Sequence, residues 1–421
     1  MAEVGVMGEA VRVFRELPDG ARIEGVCAPA FAGVLDVFAE NFAARGEVGA
    51  SVAITIGGET VVDLWGGVAD PATGRPWERD TISIVFSNTK AATALCAHIL
   101  AERGTLDLDA PLGLYWPAFR DARRAAITTR MVLGHTAGLP VLRGELKPGA
   151  FFDWDYMIAR LEREEPFWEP GTRTGYHPLN FGWLVGEVVR RVASRTLGEF
   201  FRETVAAPLG LDFWIGLPES EEGRVAPIIL HEPSPDDPPT RFTDAVRDVP
   251  SSIPALYVAN ARTWRPDGLN TRAAHAAEIG AAGGITNARG LAGMYRPLAN
   301  GGAIGGHRVV GPDMLRGMTE IVSATHDDAT LRVAARFGSG FMRSMETVGV
   351  AGGSVVLSPD AFGHAGAGGS LGFADPAVRM SLGYTMNRMG FGVLLNERGQ
   401  ALADAAYRAL GYHRVPGYWM A

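Results

Sequence analysis

Lysine is nearly absent from this 421-residue chain: of its 39 basic residues only Lys90 and Lys147 are lysines, and the rest are arginines. Arginine meets any demand for permanent positive charge, so a retained lysine stands out as an amine that protein surroundings can deprotonate. Cysteine is as scarce. Cys27 and Cys96 alone exclude a disulfide framework and offer no zinc-type spacing, which makes a reducing compartment the default. No apolar run approaches the roughly 20 residues needed to span a bilayer. The opening MAEVGVMGEAVRVFRELPDG has neither the basic n-region nor the apolar h-region of a signal peptide. By elimination a soluble, cytoplasmic protein with no membrane partner is expected. A net charge of −8 with no lysine/arginine stripe argues against a nucleic-acid surface. There is no G-x-x-x-x-G-K-[ST] for a nucleotide phosphate and no H-E-x-x-H for zinc. His326-Asp327-Asp328 carries metal-ligating residue types, but adjacent residues rarely converge on one ion. No metal or organic cofactor is expected.

What is present is an ordinary globular balance, 47% hydrophobic and 20% charged, in a chain too long for one small core. An amphipathic helix is expected over 29–46. Two β-rich runs in SVAITIGGETVVDLWGGVA (51–69) flank Gly57-Gly58 and read as a hairpin. A broadly apolar helix follows at 87–103, with Gly104 at its C′ position. Further helices are expected at 181–194 and 197–209, and HEPSPDDPPTR (231–241) reads as loop. Strand-like runs return in RFGSGFMR, SLGYTMNR and FGVLLNER, before a last helix at 401–410. Strands at both ends and helices between them predict a mixed α/β (α+β) fold. Its antiparallel sheet, flanked by helices, is built from residues 1–104 and 331–421. Residues 105–330 form an inserted, mostly helical domain, with the active site between the two.

Ser87-Asn88-Thr89-Lys90 opens the 87–103 helix. Residues three apart share a helix face, with Cβ atoms about 5–6 Å apart. The first turn of a helix disfavours an ammonium, favours an oxyanion and leaves backbone N–H groups free. This is the arrangement of a serine nucleophile with a lysine base. The alternative is a serine N-cap followed by a solvated lysine. In Trp168-Glu169-Pro170-Gly171-Thr172-Arg173-Thr174-Gly175-Tyr176 a Pro-Gly turn delivers Tyr176, whose hydroxyl is either a proton relay or the polar end of a core aromatic. Gly363-His364-Ala365-Gly366-Ala367-Gly368-Gly369-Ser370 is dense enough in glycine to bring backbone close to a ligand or to form a flexible turn. Gly368-Gly369-Ser370-Leu371-Gly372 also matches the G-x-S-x-G nucleophile elbow, but that motif needs a helix after the serine, and Asp375-Pro376 interrupts one.

Together, Ser87-x-x-Lys90, the segment ending in Tyr176 and His364-Ala365-Gly366 resemble the serine β-lactamase and penicillin-binding-protein-like superfamily. The nearest branch is the class C β-lactamase-like family VIII carboxylesterases. Leu133-Gly134-His135-Thr136-Ala137-Gly138-Leu139 adds to the resemblance, which runs from about residue 48 to 395. It implies Ser87 as nucleophile, Lys90 as its base and Tyr176 as proton shuttle. The backbone amides of Ser87 and Ala367 would form the oxyanion hole, and His364, Ala365 and Gly366 would border the substrate. His364 stands where penicillin-recognising members carry a lysine, and Tyr176-His177-Pro178 lacks the amide side chain of their Y-x-N. Both departures favour a small uncharged ester, with short acyl chains, over a β-lactam. The same machinery also serves β-lactamases, D-amino-acid peptidases or amidases and acyltransferases, and a scaffold without catalysis would be a binding protein. Oligomeric state has no signature in the sequence. Phe151, Phe152, Trp154 and Trp264 are candidates to line a substrate pocket or to pack.

Overall fold

A computed structural model describes residues 8–17, 20–235, 237–264 and 268–421. The expected hairpin is real: β3 (Gly49–Ile56) and β4 (Glu59–Asp70) pair antiparallel across Gly57-Gly58. Both turn glycines have positive φ, 59° and 93°, which glycine adopts without strain. Before them lie β1 (Val11–Glu16) and β2 (Arg22–Cys27), two strands the sequence reading did not single out. Far along the chain come β5 (Ser323–Thr325), β6 (Ala335–Phe337), β7 (Met342–Arg343), β8 (Phe362–Ala365), β9 (Leu371–Asp375) and β10 (Met380–Met386). The sheet order is β1-β2-β4-β3-β10-β9-β8-β7-β6-β5, with Arg75–Pro76 added on β4. The two ends of the chain meet at β3 and β10, where Met380 pairs Ile56 and Met386 pairs Ala50, antiparallel.

Every residue of β3 is buried, because helices cover both faces of the sheet and leave no solvent side to alternate toward. On one face Val52, Ile54 and Leu382 share a core with Phe38 of α1 (Ala32–Ala44) and Leu402 of α5 (Glu397–Ala409). On the other, Ala53 packs against Ala288 and Ala292 of α4 (Ala288–Ala299). That face is lined with small residues. A Cβ on Gly383 would lie 2.4 Å from the carbonyl oxygen of Ala288, so glycine sets how closely α4 approaches.

Between the sheet-forming segments, a second core surrounds α2 (Asn88–Glu102) and α3 (Asn180–Ala193). From Asn88 to Leu100 every residue of α2 is buried. Burial on every side marks a core helix, and its polar members Thr93 and His98 hydrogen-bond to the carbonyls of Gly280 and Ser339. The two cores meet at the motif residues, Phe86 belonging to one and Tyr176 to the other.

Three local expectations are corrected. FGVLLNER forms no strand; 391–396 is a loop with one bridge, Leu395 to Ser354, Glu397 and Arg398 begin α5, and Gly392 at φ 114° bends the loop where a ladder would need regular pairing. The 197–209 helix is α-helical only over Leu197–Phe201 and continues as a π-turn through Arg202–Ala206. The last helix does not close the chain, since His413–Val415 and Tyr418–Met420 pair as a terminal hairpin. Among the described residues no helix is long and apolar enough to cross a membrane.

Candidate active site

Ser83–Ile84 pairs with Gly284–Thr286, and the next amide, Val85 N–H, donates to Gly284 O at 2.9 Å. This anchors the chain just before Phe86, whose φ of 47° is unusual for a bulky side chain and turns Ser87 onto the end of α2. Ser87 holds the N-cap position without using its hydroxyl as a cap. The hydroxyl instead lies 3.1 Å from Lys90 Nζ.

Lys90 is completely buried and, among the described residues, pairs with no carboxylate. Its Nζ donates to Pro178 O at 2.6 Å and to Ala281 O at 2.9 Å. A neutral amine has two N–H donors and one lone pair. In that form the two carbonyls would take the donors and the lone pair would turn to the Ser87 hydroxyl, whereas an ammonium would donate to all three oxygens. Burial pushes the amine well below its usual 10.5, because desolvation penalises the ammonium. The rings of Tyr176 and Phe181 lie 4.8 and 5.9 Å from Nζ.

Tyr176 is held through its backbone. Its N–H donates to the Asp328 carboxylate at 2.9–3.0 Å, and its carbonyl accepts from Thr330 Oγ1 at 2.7 Å. Asp328 is fully buried and also receives the N–H groups of Thr330 and Leu331, both at 2.8 Å. His135, in LGHTAGL, packs its ring on Tyr176 at 4.7 Å and accepts from His177 N–H at 3.2 Å. The buried phenol hydroxyl has no hydrogen bond of good geometry among the described residues. Burial raises the phenol well above 10, and the Ser87 hydroxyl is the neighbour that opposes the rise. Tyr176 is therefore a neutral phenol, not a phenolate.

The glycine-rich segment leaves β8 beside Ser87. His364, Ala365 and Gly366 are buried, and Ala367 is partly exposed. Among the described residues the amides of Ser87 and Ala367 donate to no backbone or side-chain acceptor. His364 lies 6.0 Å from the Tyr176 ring, with Nδ1 2.8 Å from Ala365 O. Burial lowers it to about 3, so it is neutral at ordinary pH.

Ser370 is fully buried and is followed by β9 rather than a helix. Its hydroxyl donates to Val85 O at 3.1 Å and accepts from Asn88 Nδ2 at 3.0 Å, while its carbonyl accepts from Gly366 N–H at 2.7 Å. It ties the glycine-rich segment to the residues on either side of Ser87. The aromatic candidates mostly pack: Phe151 and Trp264 are buried with rings 6.2 Å apart, and Trp264 lies 6.3 Å from Phe86. Trp154 donates its indole N–H to Glu187 at 2.9 Å. Missing from the sequence reading were Asp328, Asn88 and the Pro178 and Ala281 carbonyls. The visible signals were an Asx-type residue just after Ser87 and the acidic pair Asp327-Asp328.

The Beta-lactamase family model matches residues 35–407. The chain belongs to the beta-lactamase family. It is 35% identical to Esterase/beta-lactamase LipL of Mycobacterium tuberculosis over 397 residues, covering 92% of this chain and 88% of that protein. Esterase EstB of Burkholderia gladioli is 31% identical over 228 residues, 50% of this chain and 56% of its own. Among solved structures, a family VIII carboxylesterase superposes with a TM-score of 0.80 at 39% identity, over 92% of this chain and 99% of that one. A penicillin-binding-protein homologue from Caulobacter crescentus gives 0.80 at 37% identity with the same coverage. The resemblance read from the three motifs is thus borne out for the family and for the fold.

Proposed function

We propose that this member of the beta-lactamase family is a serine carboxylesterase that hydrolyses small uncharged esters through an acyl-enzyme on Ser87. The observation that carries the reading is the fully buried Lys90, whose Nζ lies 3.1 Å from Ser87 Oγ and whose other hydrogen bonds go to two backbone carbonyls rather than to a carboxylate. Lys90 takes the Ser87 proton as the oxygen attacks the ester carbonyl. The oxyanion is received by the Ser87 and Ala367 amides. Tyr176, 4.8 Å ring-to-Nζ from the newly formed ammonium, gives a proton to the departing alkoxide and is resupplied from Lys90. Water then enters, loses its proton along the same route and releases the acid.

Esters are favoured over β-lactams because neutral His364 cannot anchor a carboxylate. Pro178, in turn, offers only a backbone carbonyl, which is spent on Lys90. The relative at 31% identity is named an esterase and the one at 35% an esterase/beta-lactamase, so ester hydrolysis is the activity common to both names. The packed Phe86–Trp264–Phe151 wall beside the nucleophile supports short acyl groups. Labelling with a fluorophosphonate, followed by peptide mass spectrometry, tests the reading. The expected adduct is on the peptide containing Ser87, with p-nitrophenyl acetate hydrolysis lost in proportion. No adduct, or an adduct on Ser370, overturns it.

A further inference from the structure

β1 is the last strand at one end of the sheet, and its free edge carries a definite set of donors and acceptors. Leu17 N–H donates to Ala21 O at 2.7 Å, in register with the β1–β2 ladder. Antiparallel ladders alternate, so Val11, Val13 and Arg15 bond to β2, while the N–H and C=O groups of Arg12, Phe14 and Glu16 point outward. The far side of β2 agrees. There Ala28 N–H donates to Val61 O at 2.8 Å in the ladder with β4, so the even-numbered residues of β2 face β4 and the odd-numbered ones face β1. Before β1 the chain runs on past the end of β2, where a Cβ on Gly8 would lie 3.4 Å from Pro29 Cδ. The described residues therefore leave this edge uncovered.

Arg12, Phe14 and Glu16 also share the exposed face of β1. Phe14 is 62% exposed, with the Arg22 guanidinium 5.7 Å from its ring. Among the described residues neither Arg12 nor Glu16 has an ion-pair partner, whereas Arg15 on the other face pairs with Asp36 at 2.8 Å. The row of arginine, aromatic and glutamate is complementary to its own reverse. An antiparallel copy centred on Phe14 sets Arg12 against Glu16 twice, and Phe14 against Phe14. The backbone agrees with this register, because only residues with outward groups can exchange hydrogen bonds across the new edge. A register shifted by two residues sets Arg12 or Glu16 against Phe14, and one shifted by four sets like charges together, which is destabilising. Charge on an edge strand ordinarily discourages pairing; here it selects one register.

We infer that β1 is a homodimer interface, at which a second copy of this chain pairs antiparallel across a two-fold axis at Phe14 and continues the sheet. A second copy is the occupant because the edge matches itself in charge, in backbone hydrogen bonding and in its exposed aromatic, as a two-fold interface requires. β8, beside Ser87, lies six strands further along the sheet, roughly 30 Å at the usual strand spacing. Pairing at β1 therefore leaves both sites open, and the inference does not depend on the esterase reading.

The test is sedimentation equilibrium of the full chain over a concentration series, with circular dichroism to check folding. The wild type should approach twice the 44.8 kDa of one chain. Arg12→Glu and Glu16→Arg, each alone, set like charges opposite and should raise the dimer dissociation constant by at least about ten-fold. Mixing the two variants, or combining both substitutions in one chain, restores opposite charges and should restore the dimer. Phe14→Pro removes an outward N–H that β2 does not use, and should abolish the dimer while β1 keeps its own ladder. If that variant does not fold, the charge swap decides, since Arg12 and Glu16 lie exposed on β1. A wild type that stays at the mass of one chain throughout overturns the inference. So does a dimer that a folded Phe14→Pro variant leaves intact, and so do single charge variants that dimerise as the wild type does or are not rescued by mixing.

Discussion

Replacing Lys90 by methionine separates what the amine does for chemistry from what it costs the fold. Methionine fills similar space, has no proton to exchange and leaves the Pro178 and Ala281 carbonyls without a donor. Loss of a general base lowers kcat by about 10²–10⁴-fold, or about 3–5 kcal/mol of barrier. The stability effect has a pH signature that activity does not. The folded pKa of Lys90 is depressed by burial, so between that value and its unfolded value near 10.4 the unfolded chain binds the extra proton. Stability of the wild type therefore rises with pH through this window, by about 1.36 kcal/mol per unit. Below the folded pKa the full penalty is present and constant. The methionine variant lacks this slope. Urea unfolding of both proteins from about pH 7 to about pH 10 should show the wild type gaining on the variant as pH rises; other titrating groups cancel in the difference. At the acid end the variant trades two unpaired carbonyls, at about 1–3 kcal/mol each, against relief from a buried amine. A stability difference that does not change with pH, or a variant within a few-fold of wild-type kcat, would refute a neutral Lys90.

Acid should unfold this protein early. Burial pushes His98 down to about 4 and His177 and His364 to about 3, so protons bind the unfolded chain first and stability falls as pH drops below about 6.5. The three groups together remove about 6 kcal/mol by about pH 5, a large share of a typical domain's stability; a near-UV circular dichroism spectrum unchanged at about pH 4 would contradict this. Ser370→Ala leaves Asn88 with one partner fewer and should lower stability by about 1–3 kcal/mol, read from urea midpoints, while the fluorophosphonate adduct stays on Ser87. Neutral His364 forfeits a charge-assisted hydrogen bond of about 1.5–3 kcal/mol to a β-lactam carboxylate. Phenyl acetate should accordingly exceed nitrocefin in kcat/KM by at least about ten-fold, and equal values would overturn the preference.

The parts of the fold that were legible in sequence are those whose signal is local. Gly57-Gly58 between two β-rich runs fixed a hairpin, and the broad apolar face of 91–100 marked a buried helix. Ser87 and Lys90 could be paired because helical spacing alone brings them together. The hydrogen-bond partners of Lys90 were not legible. Pro178 O and Ala281 O are backbone atoms, 88 and 191 residues away in the chain, and a carbonyl has no residue type to betray it. Asp328 was visible only as part of an acidic pair. Its role as acceptor for Tyr176 N–H depends on a contact 152 residues away. FGVLLNER misled because its apolar run matches a strand, while Gly390 and Gly392 turn it back along Gly368 and Gly352.

The hairpin at β3 and the late strand β10 have a consequence for how the protein is made. Ser87 is translated early and the Ala367 amide some 280 residues later. The two are brought together only when the C-terminal strands insert against β3. Contacts of such sequence separation close slowly, because loop entropy is lost before the sheet rewards it. Catalysis is then a reporter of the last stage of folding. During refolding, turnover should recover after helical signal and together with burial of β3, and a nascent chain should stay inert until its final strands have emerged and paired.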